Sequence, residues 1–141
     1  MYWTPHTQAQ FRILGRAAAA GSGALPTDGV YGALAREGFD WERKRVEVFN
    51  QLSGRTRAMW CWPAPGTPLR GDEKWVETLP RTDEANGAEA ELVEVALRNF
   101  VLLAVEPDEV DWLDLKAVPM RRTRFEWDER AGEFRATAIA P

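Results

Sequence analysis

Arginine is the side chain with the most chemical promise in this sequence. Arg121, Arg122 and Arg124 stand together near the C-terminus. Guanidinium groups stay charged and present forked donors, so such a cluster could hold a phosphate; the plainer alternative is a solvated hairpin face. Gln10 and Arg12 alternate with Phe11 and Ile13, which gives a strand one polar and one apolar face. Trp60 and Trp62 flank Cys61. That trio reads as packing, with a ligand-lining role as the alternative, and Cys61 as a small buried hydrophobe. His6 sits among turn residues with no sequence-near carboxylate, so a surface role is its default. Glu89, Glu91 and Glu94 read as the wet face of a helix, not as an acid–base pair.

Several kinds of chemistry are disfavoured by composition. Ser22 and Ser53 are the only serines, and neither lies in a nucleophile-elbow sequence. One histidine and one cysteine are too few for a structural zinc site, and a single cysteine forms no internal disulfide. The lone thiol fits a reducing cytoplasm, the expected location. A formal charge of −4 argues against a broad nucleic-acid-binding surface. The longest apolar stretches, such as 100–105, are too short to span a membrane. Met1 is followed by aromatic and polar residues, not by the basic and then apolar regions of a signal peptide.

The elements that must carry these residues can be read from periodicity and breakers. A length of 141 residues suits one domain. Residues 8–18 are ambiguous: the alternation suits a strand, whereas Phe11, Leu14 and the alanine run 17–20 suit a helix. Gly21, Gly23 and Pro26 then break the chain. Asp28 is placed to cap a short helix ending near Gly38, and Asp40 a second running to Leu52, with Trp41, Arg45, Val48 and Leu52 on one stripe. Ser53 is placed to cap a further turn through Trp60. Residues 63–71 are a proline-rich loop, and 88–99 remain open between helix and other structure. Residues 100–106 read as a buried strand ended by Pro107-Asp108, and 110–115 as another. Thr123, Phe125 and Trp127, then Phe134, Ala136 and Ala138, flank a turn containing Gly132. That pattern predicts a β-hairpin with one apolar face. The expected class is mainly β within α+β, with two or three inserted helices.

Three stretches, in this order, resemble the pyridoxamine 5'-phosphate oxidase-like family of FMN-binding proteins. The first is Tyr2-Trp3-Thr4-Pro5-His6-Thr7 leading into Gln10-Phe11-Arg12-Ile13-Leu14-Gly15-Arg16. The second is Trp62-Pro63-Ala64-Pro65-Gly66-Thr67-Pro68. The third runs from Asn99 to Pro141 and includes Arg121-Arg122 and the closing hairpin. The resemblance implies a strand over about 8–18 and a split β-barrel holding FMN at a homodimer interface. It carries flavin contact to Gln10 and Arg124, places Arg122 in the stretch that precedes that arginine, and puts either Trp112 or Leu113 against the ring.

The same resemblance covers only the C-terminal half to two-thirds of the family's domain, over residues 1–141. Family members begin with a helix and strands whose Arg and Lys grip the FMN phosphate, and these have no counterpart here. The expectation is therefore a partial barrel, belonging to a fragment or completed by another chain, since open strand edges invite association. The family's histidine-containing stretch is replaced by Arg121-Arg122-Thr123, which weighs against vitamin-phosphate oxidation. The implied function is FMN-dependent oxidoreductase chemistry, in which the cofactor itself performs the redox step. A non-catalytic flavin, haem or deazaflavin module, or a remnant without cofactor, are the alternatives.

Overall fold

The computed structural model describes residues 2–23 and 27–141; Met1 and 24–26, including the expected breaker Pro26, lie outside the described residues. Among the described residues five strands are present: β1 (Tyr2–Thr4), β2 (Ala9–Ala20), β3 (Leu102–Asp114), β4 (Arg121–Asp128) and β5 (Glu133–Ile139). They form one sheet in the order β1-β2-β3-β4-β5. Among the described residues the sheet is open, with β1 and β5 at its edges. Between β2 and β3 in sequence come α1 (Gly29–Arg36), α2 (Trp41–Gln51), α3 (Gly54–Met59) and α4 (Gly87–Asn99). The chain divides into two compact units, Met1–Ala17 with Val105–Pro141, and Ala18–Ala104.

In the Ala18–Ala104 unit, helix starts follow their caps. The Asp40 carboxylate accepts from Arg43 N at 2.8 Å, and the Ser53 hydroxyl accepts from Thr56 N at 3.1 Å. Asp28 occupies the N-cap position of α1 but makes no side-chain cap bond. Trp41, Arg45 and Phe49 recur every fourth residue on the buried side of α2. Phe49 joins Ala58, Leu79, Val93, Ala96 and Phe100 in a core, with Trp60 packed edge-on to Phe100 at 5.3 Å. The open stretch 88–99 falls in α4, whose Val93 and Ala96 face this core while Glu89, Glu91 and Glu94 are exposed.

Two arginines are buried beside that core, and backbone carbonyls surround both. Arg45 donates to Phe100 O at 3.0 Å and to Leu97 O, and its fork grips Glu42 at 2.6 and 2.8 Å. Arg57 donates to Leu79 O at 2.9 and 3.1 Å, to Asn50 O at 3.2 Å and to Leu52 O. The carbonyls of Asn50, Leu52, Leu97 and Phe100 lie at or near the ends of α2 and α4, where helical partners run out, and that of Leu79 lies in the stretch between α3 and α4. The guanidinium forks supply the missing donors.

β3 differs from expectation in two respects. It is one strand through Pro107, not two pieces, because proline removes one donor without forbidding the extended conformation. The run 100–105 is not uniformly buried either: Phe100 is buried, but Val101, Leu103 and Val105 are exposed. Leu102 and Ala104 alternate with them and pack on Ala20, Tyr31 and Trp41, so this segment has one covered face. The alanines of 17–20 are extended because strand context overrides their helix propensity.

In the unit of Met1–Ala17 with Val105–Pro141, β1 pairs antiparallel with β2, Tyr2 opposite Phe11 and Thr4 opposite Ala9. Leu115 N donates to Gln8 O at 3.2 Å, while Gly15 meets Glu106. Rising numbers on β2 therefore meet falling numbers on β3, which makes that pair antiparallel. β4 and β5 form the expected hairpin, with Gly132 at φ 68° in its turn. Its apolar face is open among the described residues: Trp127 and Phe134 stack edge-on at 5.2 Å yet are 44% and 38% exposed.

Gly15 marks the closest approach of β2 to β3. A Cβ at this position would stand 2.0 Å from the Glu106 carbonyl oxygen and 2.8 Å from Pro107 Cα. Both obstacles are backbone, so no rotamer change relieves them. Gly15→Val should lower stability by about 1–3 kcal/mol, measured as a fall in the urea midpoint at unchanged m-value. An unchanged midpoint would show that the two strands separate at no cost.

Candidate functional site

The site is built from three neighbouring strands by the two-residue alternation of β structure. On β3 and β4 the register sets Asp111 opposite Arg124, Trp112 opposite Thr123, and Leu113 opposite Arg122. Asp111, Leu113, Arg122 and Arg124 thus share one face, and Trp112 and Thr123 the other. Gln10 and Arg12 of β2 join the first face. Together with Asp111, Leu113, Arg122 and Pro141 they line a cavity of about 120 Å³. Trp112 is on the reverse side, in a recess of about 410 Å³ with Thr7, Ala9, Phe11, Asp114 and Lys116.

Asp111 is the anchor of the polar face. It is buried, and the Arg122 fork closes on it: Nε lies 2.9 Å from Oδ1 and the terminal nitrogen 2.6 Å from Oδ2. Arg122 reaches it diagonally, since Arg124 is the residue directly across, and a long side chain spans that offset. Hydrogen bonds from Arg122 hold the Asp111 carboxyl below the usual carboxylate range; burial opposes this, while the charges of Arg122, Arg12 and Arg124 add to it. The pairing in turn raises Arg122. Asp111 is therefore an ionised spacer between arginines, not a proton donor near neutrality.

The remaining donors on this face are incompletely satisfied. Arg124 lies 3.6 Å from Glu109 Oε1, and its buried Nε makes no hydrogen bond among the described residues. No hydrogen bond or ion pair among the described residues engages the Arg12 guanidinium, although its charge is felt at Asp111. A surplus of N–H groups around a small recess suits an acceptor-rich or anionic ligand edge. The cavity is below the roughly 300–1,000 Å³ of pockets that enclose a whole small molecule, so these residues have room for one edge of a larger molecule and not its full body.

Of the residues singled out from sequence, Gln10 and Arg122 line the cavity. Arg124 shares its face one register step away. Trp112 faces the other recess, and Leu113 is the apolar residue beside Gln10 and Arg122. Arg12 and Asp111 were not read as site residues. Counting two from Gln10 reaches Arg12, and counting two back from Leu113 reaches Asp111, so the alternation carried that signal. Elsewhere, Cys61 donates its Sγ to Leu92 O at 3.2 Å, and burial pushes its thiol up, which suits a packing role. His6 is exposed. Among the described residues no cluster of three or more His, Cys, Asp or Glu could hold a metal ion, and no helix is long and apolar enough to cross a membrane.

No family model matches the chain, and no curated protein matches it. A solved structure does: a pyridoxamine 5'-phosphate oxidase-related, FMN binding protein from Nostoc punctiforme, with TM-score 0.59 and 24% identity. The match covers 99% of this chain and 59% of that one, so the present chain spans about three-fifths of that protein's length. The likeness shows the fold: an antiparallel sheet with inserted helices, of split-barrel-like α+β type.

The Asp111–Arg122 pair makes a pH-dependent contribution of defined sign. Because the folded-state carboxyl is lowered, its stabilisation is present above the unfolded value of about 3.9 and is lost as pH falls through the lower folded value. Asp111→Asn should therefore be less stable than the parent at pH 7, and the two stability curves should converge below about pH 3. A constant difference across that range would remove Asp111 as the group responsible.

Proposed function

We propose that this chain binds FMN through the polar face of β2, β3 and β4, as part of a flavin-dependent oxidoreductase-like homodimer. The observation that carries the reading is convergence: Gln10, Leu113 and Arg122 come from three strands onto one cavity. Gln10 offers an amide donor and acceptor to the ring edge, Leu113 an apolar contact, and Arg122 a fixed positive charge. Arg124 adds an Nε donor that no hydrogen bond among the described residues satisfies. Leu113, not Trp112, takes the place against the ring in this reading. The FMN-binding protein of the same fold supports the cofactor class. Bound flavin would supply the electron transfer; the protein groups bind it, orient it and set the local charge.

The small cavity supports a shared site, because a pocket for a ring edge becomes a pocket for a cofactor when a second surface faces it. A homodimer is the simplest source of such a surface. A second reading, binding without turnover, is favoured by one observation. The charged side chains lining the cavity are two arginines and an aspartate held ionised by Arg122, with no histidine among them. Bleaching of bound flavin by a hydride donor, followed by reoxidation, separates turnover from binding alone.

Flavin fluorescence during titration of the purified chain with FMN, beside its size in solution, tests the proposal. Saturable quenching by a dimer is expected. Gln10→Ala should raise the dissociation constant about tenfold by removing a hydrogen bond to the ring. Trp112→Phe should leave it within about twofold, the size of an ordinary surface substitution effect. Equal affinity for Gln10→Ala and parent would sink the assignment of this face to the flavin.

A further inference from the structure

Arg12 is the cation on this face that the flavin reading does not use. It lines the same cavity as Arg122, from the adjacent strand. Arg122 and Arg124 share its face, and the charges of all three arginines are felt at Asp111. Asp111 is consumed by the fork of Arg122, and Glu109 stands by Arg124. That leaves Arg12 without a counter-ion among the described residues. Arg16, two turns of the alternation further along β2, provides the contrast: it is paired with Glu106 at 3.4 Å.

We propose that Arg12, with the fixed guanidinium of Arg122 behind it, is the receptor for a small anionic group, a phosphate or carboxylate carried by the ligand. The geometry favours this over a freely solvated arginine for two reasons. Arg122 cannot swing out to solvent, because both its Nε and a terminal nitrogen are held by a buried carboxylate. Its charge is therefore fixed at the cavity wall at no further entropic cost when an anion arrives. Arg12 supplies forked donors that no group among the described residues occupies, matched to two oxygens of one anion. Asp111 acts as a positioning residue: it orients Arg122. The cavity is large enough for an anionic group and too small for a whole cofactor.

The assignment stands apart from the flavin reading, since inorganic phosphate, which carries no ring, is the probe. The arginine Nε–H resonances of the full chain are followed in NMR during titration with phosphate, and separately with acetate, at constant ionic strength. Saturable shifts at Arg12 and Arg122 are expected, with Arg16 moving little. Arg12→Gln should weaken binding about tenfold, and Arg12→Lys less, because lysine keeps charge but loses the fork. Arg16→Gln removes the same charge and should leave binding unchanged. Linear, unsaturated shifts shared by Arg12 and Arg16, or equal effects of the two Gln variants, would overturn the proposal and leave only general charge screening. Adding FMN or riboflavin then separates the sources. Loss of phosphate binding with FMN alone assigns the anion to the cofactor; retention with both assigns it to a second ligand.

Discussion

A buried charge must be matched where it sits, and three side chains in the described residues impose that constraint: Arg45, Arg57 and Asp111. Each would cost several kcal/mol if left unpaired. Arg45 and Arg57 meet the constraint with backbone carbonyls that helices and loops would otherwise leave without donors. They therefore fix where α2 and α4 stop. Asp111 meets it with one arginine fork, and this fixes Arg122. The difference in partner explains a difference in consequence. The carbonyl-bound arginines are spent on structure, whereas the carboxylate-bound arginine still presents a charged edge to a cavity.

The sheet separates chemistry from packing by alternation alone. One face of β2, β3 and β4 carries Gln10, Arg12, Asp111, Leu113, Arg122 and Arg124; the reverse carries Ala9, Phe11, Trp112 and Thr123. A one-residue slip between β3 and β4 would put Trp112 and Thr123 in register with the arginines and dissolve the site. The Asp111–Arg122 fork resists that slip, because it closes in only one register. Gly15 sets the other contact, allowing β2 and β3 to approach where any side chain would meet backbone. The site thus depends on one residue with no side chain and on one carboxylate with no freedom.

Much of the fold was legible in the residues. The hairpin and the caps at Asp40 and Ser53 rest on local signals, namely alternation, a glycine turn and an oxygen side chain before a helix, whereas alternation left 8–18 open between strand and helix and the motif resemblance implied the strand. What was not legible was non-local. The continuity of β3 through Pro107 depends on its neighbour, and the exposure of Val101, Leu103 and Val105 depends on which face is covered. The same holds at the site. Gln10 and Arg122 came from motif resemblance, but that Leu113 and not Trp112 shares their face needed the register, which no single strand encodes. Arg12 and Asp111 were on the page as alternating residues. Their meaning appeared only when three strands set them around one cavity.

The composition of that cavity bears on what kind of ligand contact it can make. Its charged side chains are arginine donors and a carboxylate already held by one of them, and Gln10 adds an amide that both donates and accepts. Such a surface discriminates by charge and by the position of acceptor atoms, and it does so unchanged across the neutral pH range. It has no side chain poised to shuttle a proton, so any proton movement must come from the ligand, from solvent or from a second surface. A volume of about 120 Å³ enforces the same division physically, since only the acceptor-bearing edge of a larger molecule enters. A ligand held at this face would be held by fixed charges, with its reactive part projecting beyond the cavity.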